Sequence, residues 1–124
     1  MMWLWVMIAG GLGSGGRYLA GQWAIAALGG SFPYGTLIVN LVGCFALGAV
    51  VQLASAGNWS PEWRTAIAVG FLGGFTTYSS FNQETLAMLS SGAIGAAGLN
   101  VAITLAGGLA AGTLGLVAAR LFQS

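Results

Sequence analysis

Residues 70–81, GFLGGFTTYSSF, combine four small hydroxyl side chains, a Gly-Gly pair and aromatic rings inside an otherwise apolar segment. Hydroxyl groups, and backbone N–H groups freed by a helix break, are neutral hydrogen-bond donors, and the edges of aromatic rings are partially positive. None of these groups brings the fixed negative charge that would attract a cation. The stretch therefore suits a small, hard anion that accepts hydrogen bonds strongly.

The residues needed for other kinds of chemistry are missing. The sequence contains no His, and Cys44 is its single cysteine. A His-activated nucleophile and a Cys/His zinc site are therefore excluded, so we expect no enzyme and interpret Cys44 as an apolar core residue. A net charge of +1 without a basic patch gives no electrostatic reason to expect a nucleic acid partner.

The composition predicts an integral membrane protein, because 57% of the residues are hydrophobic and only 4% are charged. Residues 18–61 and 85–119 contain no charged side chain, and each run exceeds the roughly 20 residues of one membrane span. We therefore predict an all-α fold with one transmembrane domain, residues 1–124. Its four transmembrane helices are predicted at about residues 3–28, 34–54, 61–91 and 94–121.

The third span is predicted to be broken near residues 73–77. As one straight helix, residues 61–91 would be roughly 45 Å long, whereas the hydrocarbon core is about 30 Å thick. Gly73 and Gly74 favour non-helical backbone, and the threonines that follow can bond the freed carbonyls. Such a break survives at membrane depth only in contact with protein or a water-filled path, which makes it a candidate site. The alternative is that these small residues only let helices approach closely.

Polar side chains of all four spans are predicted to converge in one half of the bilayer. With four spans both termini lie on one side, and a rise of about 1.5 Å per residue then sets the depth of each group. Asn40 must find a partner in another helix or a polar path, and a helix-to-helix hydrogen bond is the plainer alternative. The converging residues, with Arg17 and Glu84 as a candidate ion pair, are Arg17, Asn40, Ser79, Ser80, Asn82, Glu84, Asn100 and Thr104.

These residues carry a resemblance to a known family. The chain resembles the small double-barrelled fluoride channels of the Fluc or CrcB type over essentially its whole length. Three motifs carry the resemblance: Gly10, Gly13, Arg17 and Tyr18 in the first span, TLIVNLVG at residues 36–43, and GFLGGFTTYSSF at residues 70–81.

The resemblance implies a fluoride-selective channel that lets fluoride leave the cytoplasm passively and so confers fluoride resistance. It implies a multi-pass protein of the cell inner (plasma) membrane, in contact with lipid. It also implies an antiparallel, dual-topology homodimer with two fluoride pores at the subunit interface. A structural sodium ion is expected on the dimer axis.

The resemblance also implies roles for single residues. Asn40 corresponds to the pore asparagine, and Tyr78 and Phe81 correspond to the two aromatic residues whose ring edges line the pore. The backbone carbonyls of Gly73 and Thr76 correspond to the sodium ligands. The other expected pore residues are Ser79, Ser80 and Thr104, and the expected structural or vestibule residues are Arg17 and Glu84.

The sequence departs from the family pattern at two places. Position 78 is Tyr where Phe is common, which keeps a ring edge and adds a hydroxyl group. On the fourth span a polar track is expected to start at Thr104, but Gly108 and Gly112 stand where hydroxyl residues are expected.

Two other functions fit part of the sequence. A small multidrug exporter also has four short spans, but it needs an acid in its first span, and this chain has none there. A structural or insertion-helper membrane protein would explain the many glycines. It would give no reason for the polar cluster.

Overall fold

The computed structural model describes residues 1–123, and all regular secondary structure in this range is helical, which confirms the all-α prediction. The helices in chain order are α1 (Met2–Leu28), α2 (Tyr34–Ala56), α3 (Pro61–Thr65), a π-helical segment (Ala66–Leu72), α4 (Gly73–Phe75), α5 (Tyr78–Ser90) and α6 (Ile94–Gln123).

The turns between the helices use residues suited to them. Gly29 ends α1 with a φ of 84°, and Gly92 turns the chain between α5 and α6 with a φ of 85°. These left-handed conformations favour glycine because they crowd a Cβ atom. Ser60 caps α3, since its hydroxyl oxygen accepts a hydrogen bond from the backbone N–H of Trp63 at 3.3 Å, and Pro61 occupies the first helical position, where no N–H donor is needed.

Two of the described helices, α2 and α6, are both long and apolar enough to cross a membrane. They correspond to the spans predicted at residues 34–54 and 94–121. Helix α1 is also long, with 27 residues, but Arg17 and many glycines reduce its hydropathy. Within residues 61–91, extended backbone at Thr76 and Thr77 separates α4 from α5.

Small residues fill the interior, and large apolar residues cover the outside. Helix α2 packs most extensively against α6, and α1 packs against the π-helical segment and α4. Within residues 1–123, four of the seven buried apolar residues are alanines, whereas Leu109 and Phe122 are 76% and 92% exposed. Close packing of small residues with bulky residues outside is typical of helices in lipid, where hydrophobic burial does not drive helix association.

The two glycines expected at the helix break lie in regular helix, and Gly74 packs closely against α1. Gly73 is helical, with φ −63° and ψ −37°, and Gly74 also lies within α4. A Cβ atom at Gly74 would collide with the carbonyl oxygen of Gly10, and one at Gly13 would collide with the carbonyl oxygen of Phe71. The expectation that the glycines supply the irregular backbone is wrong, because both are helical and the extended residues are Thr76 and Thr77.

Replacing Gly115 with alanine is expected to destabilise the protein. A Cβ atom there would meet the backbone carbonyl of Phe45 on α2, so the two most extensively packed helices would have to move apart. We expect the free energy of unfolding to fall by about 1–3 kcal/mol, measured by denaturation in detergent. Gly98→Ala on the same helix is the matched control, since no atom lies within 4 Å of its Cβ position. Equal stability of the two variants would contradict this packing role.

Candidate functional site

Two threonines satisfy the helix ends at the break. The backbone N–H of Thr76 donates to the carbonyl oxygen of Leu72 at 3.0 Å, and the Thr76 hydroxyl donates to the same oxygen at 2.9 Å. The Thr77 hydroxyl oxygen accepts from the backbone N–H of Ser80 at 3.2 Å and so caps the start of α5. The positive end of the α5 dipole therefore lies at the break.

Asn40 of α2 binds the extended backbone directly. Its Nδ2 donates to the carbonyl oxygen of Thr77 at 3.0 Å, and its Oδ1 accepts from the Thr77 N–H at 2.8 Å. The side chain therefore replaces a backbone partner for both polar groups of Thr77. An amide nitrogen carries two hydrogens, so one N–H of Asn40 remains after this pairing.

A central groove of about 300 Å³ opens beside this pair. It brings together residues from α2, the π-helical segment, the break, α5 and α6. None of the described residues that line it is charged, so its polar character comes from an amide, hydroxyl groups, a thiol and backbone groups. The lining residues are Asn40, Gly43, Cys44, Leu47, Ala68, Leu72, Gly73, Thr76, Thr77, Tyr78, Phe81, Thr104 and Leu105.

The aromatic residues of the groove form a tilted pair. The ring centroids of Tyr78 and Phe81 lie 5.8 Å apart with an angle of 64° between the ring planes, so one ring presents its edge to the other. Phe81 is only 8% exposed, whereas Tyr78 is 77% exposed. The buried ring is fixed by the protein, and the exposed ring stands at the mouth of the groove.

Two further lining residues bear on the chemistry of the groove. Within residues 1–123, Thr104 Oγ1 is the one buried side-chain nitrogen or oxygen atom without a hydrogen-bond partner. The residue lines the groove, so a donor without a protein partner lies in the groove wall. Cys44 also lines the groove, which corrects its interpretation as a core residue. Its position one helical turn after Asn40 was the sequence signal for this placement.

Arg17 lines a neighbouring side cavity of about 200 Å³, together with Thr36, Thr77 and Ser80. Its Nε donates to the carbonyl oxygen of Gly74 at 3.1 Å. Thr77 lines both the central groove and the side cavity, so the break borders both spaces.

Glu84 lies on α5 beyond the side cavity and accepts a hydrogen bond from the Thr36 hydroxyl at 2.5 Å. Arg17 instead binds Gly74. The candidate ion pair between Arg17 and Glu84 is therefore absent, because each side chain has a different partner. The role of Thr36 was not anticipated from the sequence, since a threonine in an apolar helix usually bonds its own backbone.

The remaining polar candidates separate into different environments. Ser79 and Asn82 are exposed, and Ser79 lies 3.3 Å from the Thr77 hydroxyl. Asn100 is 2% exposed and donates to the Thr85 hydroxyl at 3.0 Å. Of the predicted site residues, the groove thus gathers Asn40, Gly73, Thr76, Tyr78, Phe81 and Thr104, whereas Ser79, Ser80, Arg17 and Glu84 do not line it.

Comparison with known proteins identifies the family. Residues 4–116 match the family model described as CrcB-like protein, Camphor Resistance (CrcB). The chain belongs to the CrcB family. The resemblance noted from the sequence motifs is thereby confirmed.

Curated relatives of this CrcB-family chain have the printed name Fluoride-specific ion channel FluC. The relative from Sorangium cellulosum (strain So ce56) is 44% identical over 119 residues, which cover 95% of this chain and 94% of that protein. The relative from Acidobacterium capsulatum is 43% identical over 118 residues, with 94% of each chain covered. The relative from Solibacter usitatus (strain Ellin6076) is 44% identical over 123 residues, covering 97% and 99%.

Family membership and the two long apolar helices lead to the same conclusion about location. A helix such as α2 or α6 satisfies its own backbone hydrogen bonds and can therefore lie in hydrocarbon. The CrcB-family chain is a membrane protein. The large apolar side chains on its surface are consistent with contact to lipid.

Proposed function

We propose that this protein is a fluoride-selective ion channel that lets fluoride leave the cytoplasm passively. Its family is one of fluoride channels, so the prediction that it is not an enzyme is confirmed. The observation that carries the proposal is the uncharged central groove, which combines the free N–H of Asn40 with the unpaired hydroxyl of Thr104 and the Phe81 ring. Neutral donors can replace the water around a small anion without holding a cation.

The residues of the groove are assigned different roles in this path. The remaining N–H of Asn40 and the Thr104 hydroxyl donate to fluoride, and the partially positive ring edges of Tyr78 and Phe81 line the way. Fluoride approaches through the side cavity, where the Arg17 guanidinium supplies positive charge. The hydroxyls of Ser79 and Ser80 lie next to Thr77 and serve the entrance to the break, and Glu84 is a vestibule residue.

Fluoride efflux from liposomes tests the function. Purified protein is reconstituted into liposomes loaded with potassium fluoride, and valinomycin is added to permit charge balance. Rapid fluoride release with little chloride release from matched chloride-loaded liposomes is the expected result. Release of a hydrophobic drug cation, or no difference between protein-containing and empty liposomes, would overturn the proposal.

For the arrangement in the membrane we propose four spans in a single transmembrane domain of residues 1–124, as a multi-pass protein of the inner (plasma) membrane. Helices α1, α2 and α6 form the first, second and fourth spans, and the helices from α3 to α5 form the third span, which is broken at Thr76 and Thr77. The exposure of Tyr78 at the open groove supports a second copy that closes each path. Two copies in antiparallel orientation then form two pores at their interface.

Dual insertion is expected because the charges that fix orientation are few. Arg64, Arg120 and the amino terminus lie on one side of the proposed topology, against Arg17 towards the other. Such a small difference gives a weak orientation signal. Fusions of a cytoplasmic and a periplasmic reporter to the C-terminus should therefore both be active. A single active orientation, together with cross-links that form only between parallel copies, would contradict this prediction.

The break offers oxygen ligands that fit a sodium ion. In an α-helix the carbonyls of Gly73 and Thr76 would accept from the N–H groups of Thr77 and Ser80. These N–H groups donate instead to Asn40 Oδ1 and to the Thr77 hydroxyl oxygen. Both carbonyls thus lack their helical donors, and carbonyls at such breaks can hold sodium. Two carbonyls from each of two copies would provide four ligands at the dimer axis.

Removal of sodium is expected to reduce fluoride efflux at least about tenfold, because the unpaired carbonyls would repel one another across the interface. The measurement compares protein purified and assayed with sodium against protein kept in N-methylglucamine. Readdition of sodium should restore efflux. Full efflux after exhaustive sodium removal would contradict the proposed ion.

A further inference from the structure

A partly buried chain of hydrogen bonds connects α6 to Phe81, one of the two aromatic residues of the groove. Asn100 Nδ2 donates to the Thr85 hydroxyl oxygen at 3.0 Å, and the Thr85 hydroxyl donates to the carbonyl oxygen of Phe81 at 2.7 Å. Asn100 is the one buried polar or charged residue in the part of the chain that the structure describes, with 2% of its surface exposed. Neither Asn100 nor Thr85 lines the groove, so neither can act by touching an ion there.

The hydrogen bond from Asn100 favours one orientation of the Thr85 hydroxyl group. A hydroxyl has one hydrogen to donate. When its oxygen accepts from Asn100, that hydrogen is directed to Phe81. A threonine bond to the carbonyl four residues earlier tends to bend a helix, so the pair acts on the turn of α5 that runs from Phe81 to Thr85.

Asn100 and Thr85 each lie one helical turn from a residue that lines the groove. Thr85 follows Phe81 by four residues on α5, and Asn100 precedes Thr104 by four residues on α6. Four residues correspond to about 6 Å along a helix, or one turn on the same face. The hydrogen bond between Asn100 and Thr85 therefore ties the two helices one turn away from Phe81 and Thr104, which both line the groove.

We propose that Asn100 and Thr85 form a clamp that sets the separation of Phe81 and Thr104, and with it the exclusion of anions larger than fluoride. They are positioning residues, since they act through their neighbours. The proposal rests on the proposed fluoride path. A loosened groove would still admit fluoride but would discriminate less well against chloride, whose greater size a fixed width excludes.

Thr85→Val and Asn100→Leu test the clamp, because both keep the approximate volume and remove its hydrogen bonds. We expect each to lower the ratio of fluoride to chloride efflux about tenfold. This factor corresponds to about 1.4 kcal/mol, within the range of one interhelical hydrogen bond in a membrane. The double variant should match the single variants, because all three break the same clamp. Thr85→Ser keeps the hydroxyl and should retain the wild-type ratio.

Thr113→Val is the matched control. The Thr113 hydroxyl makes the same type of bond, to the carbonyl oxygen of Leu109 at 2.8 Å, on an exposed part of α6 outside the groove. This variant should keep the wild-type ratio. A 4-fluorophenylalanine at position 81 gives a second readout, since its fluorine resonance should shift or broaden in Thr85→Val and not in Thr113→Val.

The experiments distinguish failure of the proposed clamp from failure of the proposed channel function. Wild-type liposomes without fluoride efflux would overturn the proposed function. If the wild type conducts and Thr85→Val keeps both its selectivity ratio and its resonance, the clamp is wrong and the function stands. An equal loss of selectivity in Thr113→Val would also overturn the clamp. Should Asn100→Leu fail to fold, the comparison of Thr85→Val with Thr85→Ser decides the matter.

Discussion

Asn40→Asp is expected to lower fluoride efflux at least about a hundredfold. The carboxylate keeps the acceptor for the Thr77 N–H but loses both N–H groups, including the one that donates to the Thr77 carbonyl oxygen at 3.0 Å. It also places a negative charge in an uncharged groove. Two like charges about 5 Å apart repel by about 3 kcal/mol at an effective dielectric constant of 20, which corresponds to roughly two orders of magnitude.

Asn40→Ser is the matched variant, because it is neutral and keeps one donor. We expect it to retain part of the efflux. Both variants should be assayed at pH 7.5 after size-exclusion chromatography, so that only correctly assembled protein is compared. If Asn40 served only to hold Thr77, the loss would appear as reduced thermal stability with unchanged efflux per folded protein. A well-folded Asn40→Asp protein with wild-type efflux would remove Asn40 from the path.

The long helices could be predicted from hydropathy alone. The span predicted at residues 34–54 corresponds to α2 (Tyr34–Ala56), and the span predicted at residues 94–121 corresponds to α6 (Ile94–Gln123). Long uncharged runs between turn residues leave few alternatives for the backbone, because every N–H and C=O in hydrocarbon must be paired. The helix ends extend slightly further than predicted, since hydropathy decreases before the helical hydrogen bonds end.

The position of the irregular backbone could be predicted only roughly. Glycine was expected to supply it, yet Gly73 and Gly74 are helical and the extended residues are Thr76 and Thr77. The reason lies in tertiary contacts: the Gly10 backbone requires a residue without Cβ at position 74, and Asn40 supplies the partners that Thr77 needs. Neither contact can be predicted from the local conformational preferences of these residues.

The depth of the site residues in the membrane could be predicted from the sequence. The direction in which each side chain points from its helix could be predicted less well. Asn40 and Thr104 were expected in the same half of the bilayer, and both line the groove. Tyr78 and Phe81 lie three residues apart and share a helix face, whereas Ser79 and Ser80 fall between them and face elsewhere. Helical periodicity would thus have separated the rings from the serines. The pairing of Asn100 with Thr85 was not accessible in this way, because it depends on the rotation of α5 relative to α6.

Phe81→Ile is expected to lower fluoride efflux at least about tenfold. Isoleucine keeps most of the buried volume, so the packing cost should remain below about 1.5 kcal/mol, but it has no partially positive ring edge. Phe81 is 8% exposed and its ring centre lies 5.8 Å from that of Tyr78. The substitution therefore removes the ring that the protein holds most firmly in the groove.

Two comparisons isolate the effect of this ring. Phe71→Ile removes one ring of a stacked pair with Phe75, whose centroids lie 5.9 Å apart, and Phe71 does not line the groove. This variant should keep wild-type efflux. Tyr78→Phe keeps the ring at the mouth and removes its hydroxyl, so its efflux should also remain. Loss of efflux in Phe71→Ile equal to that in Phe81→Ile would point to packing, since both lose a ring and only Phe81 can present an edge to the ion.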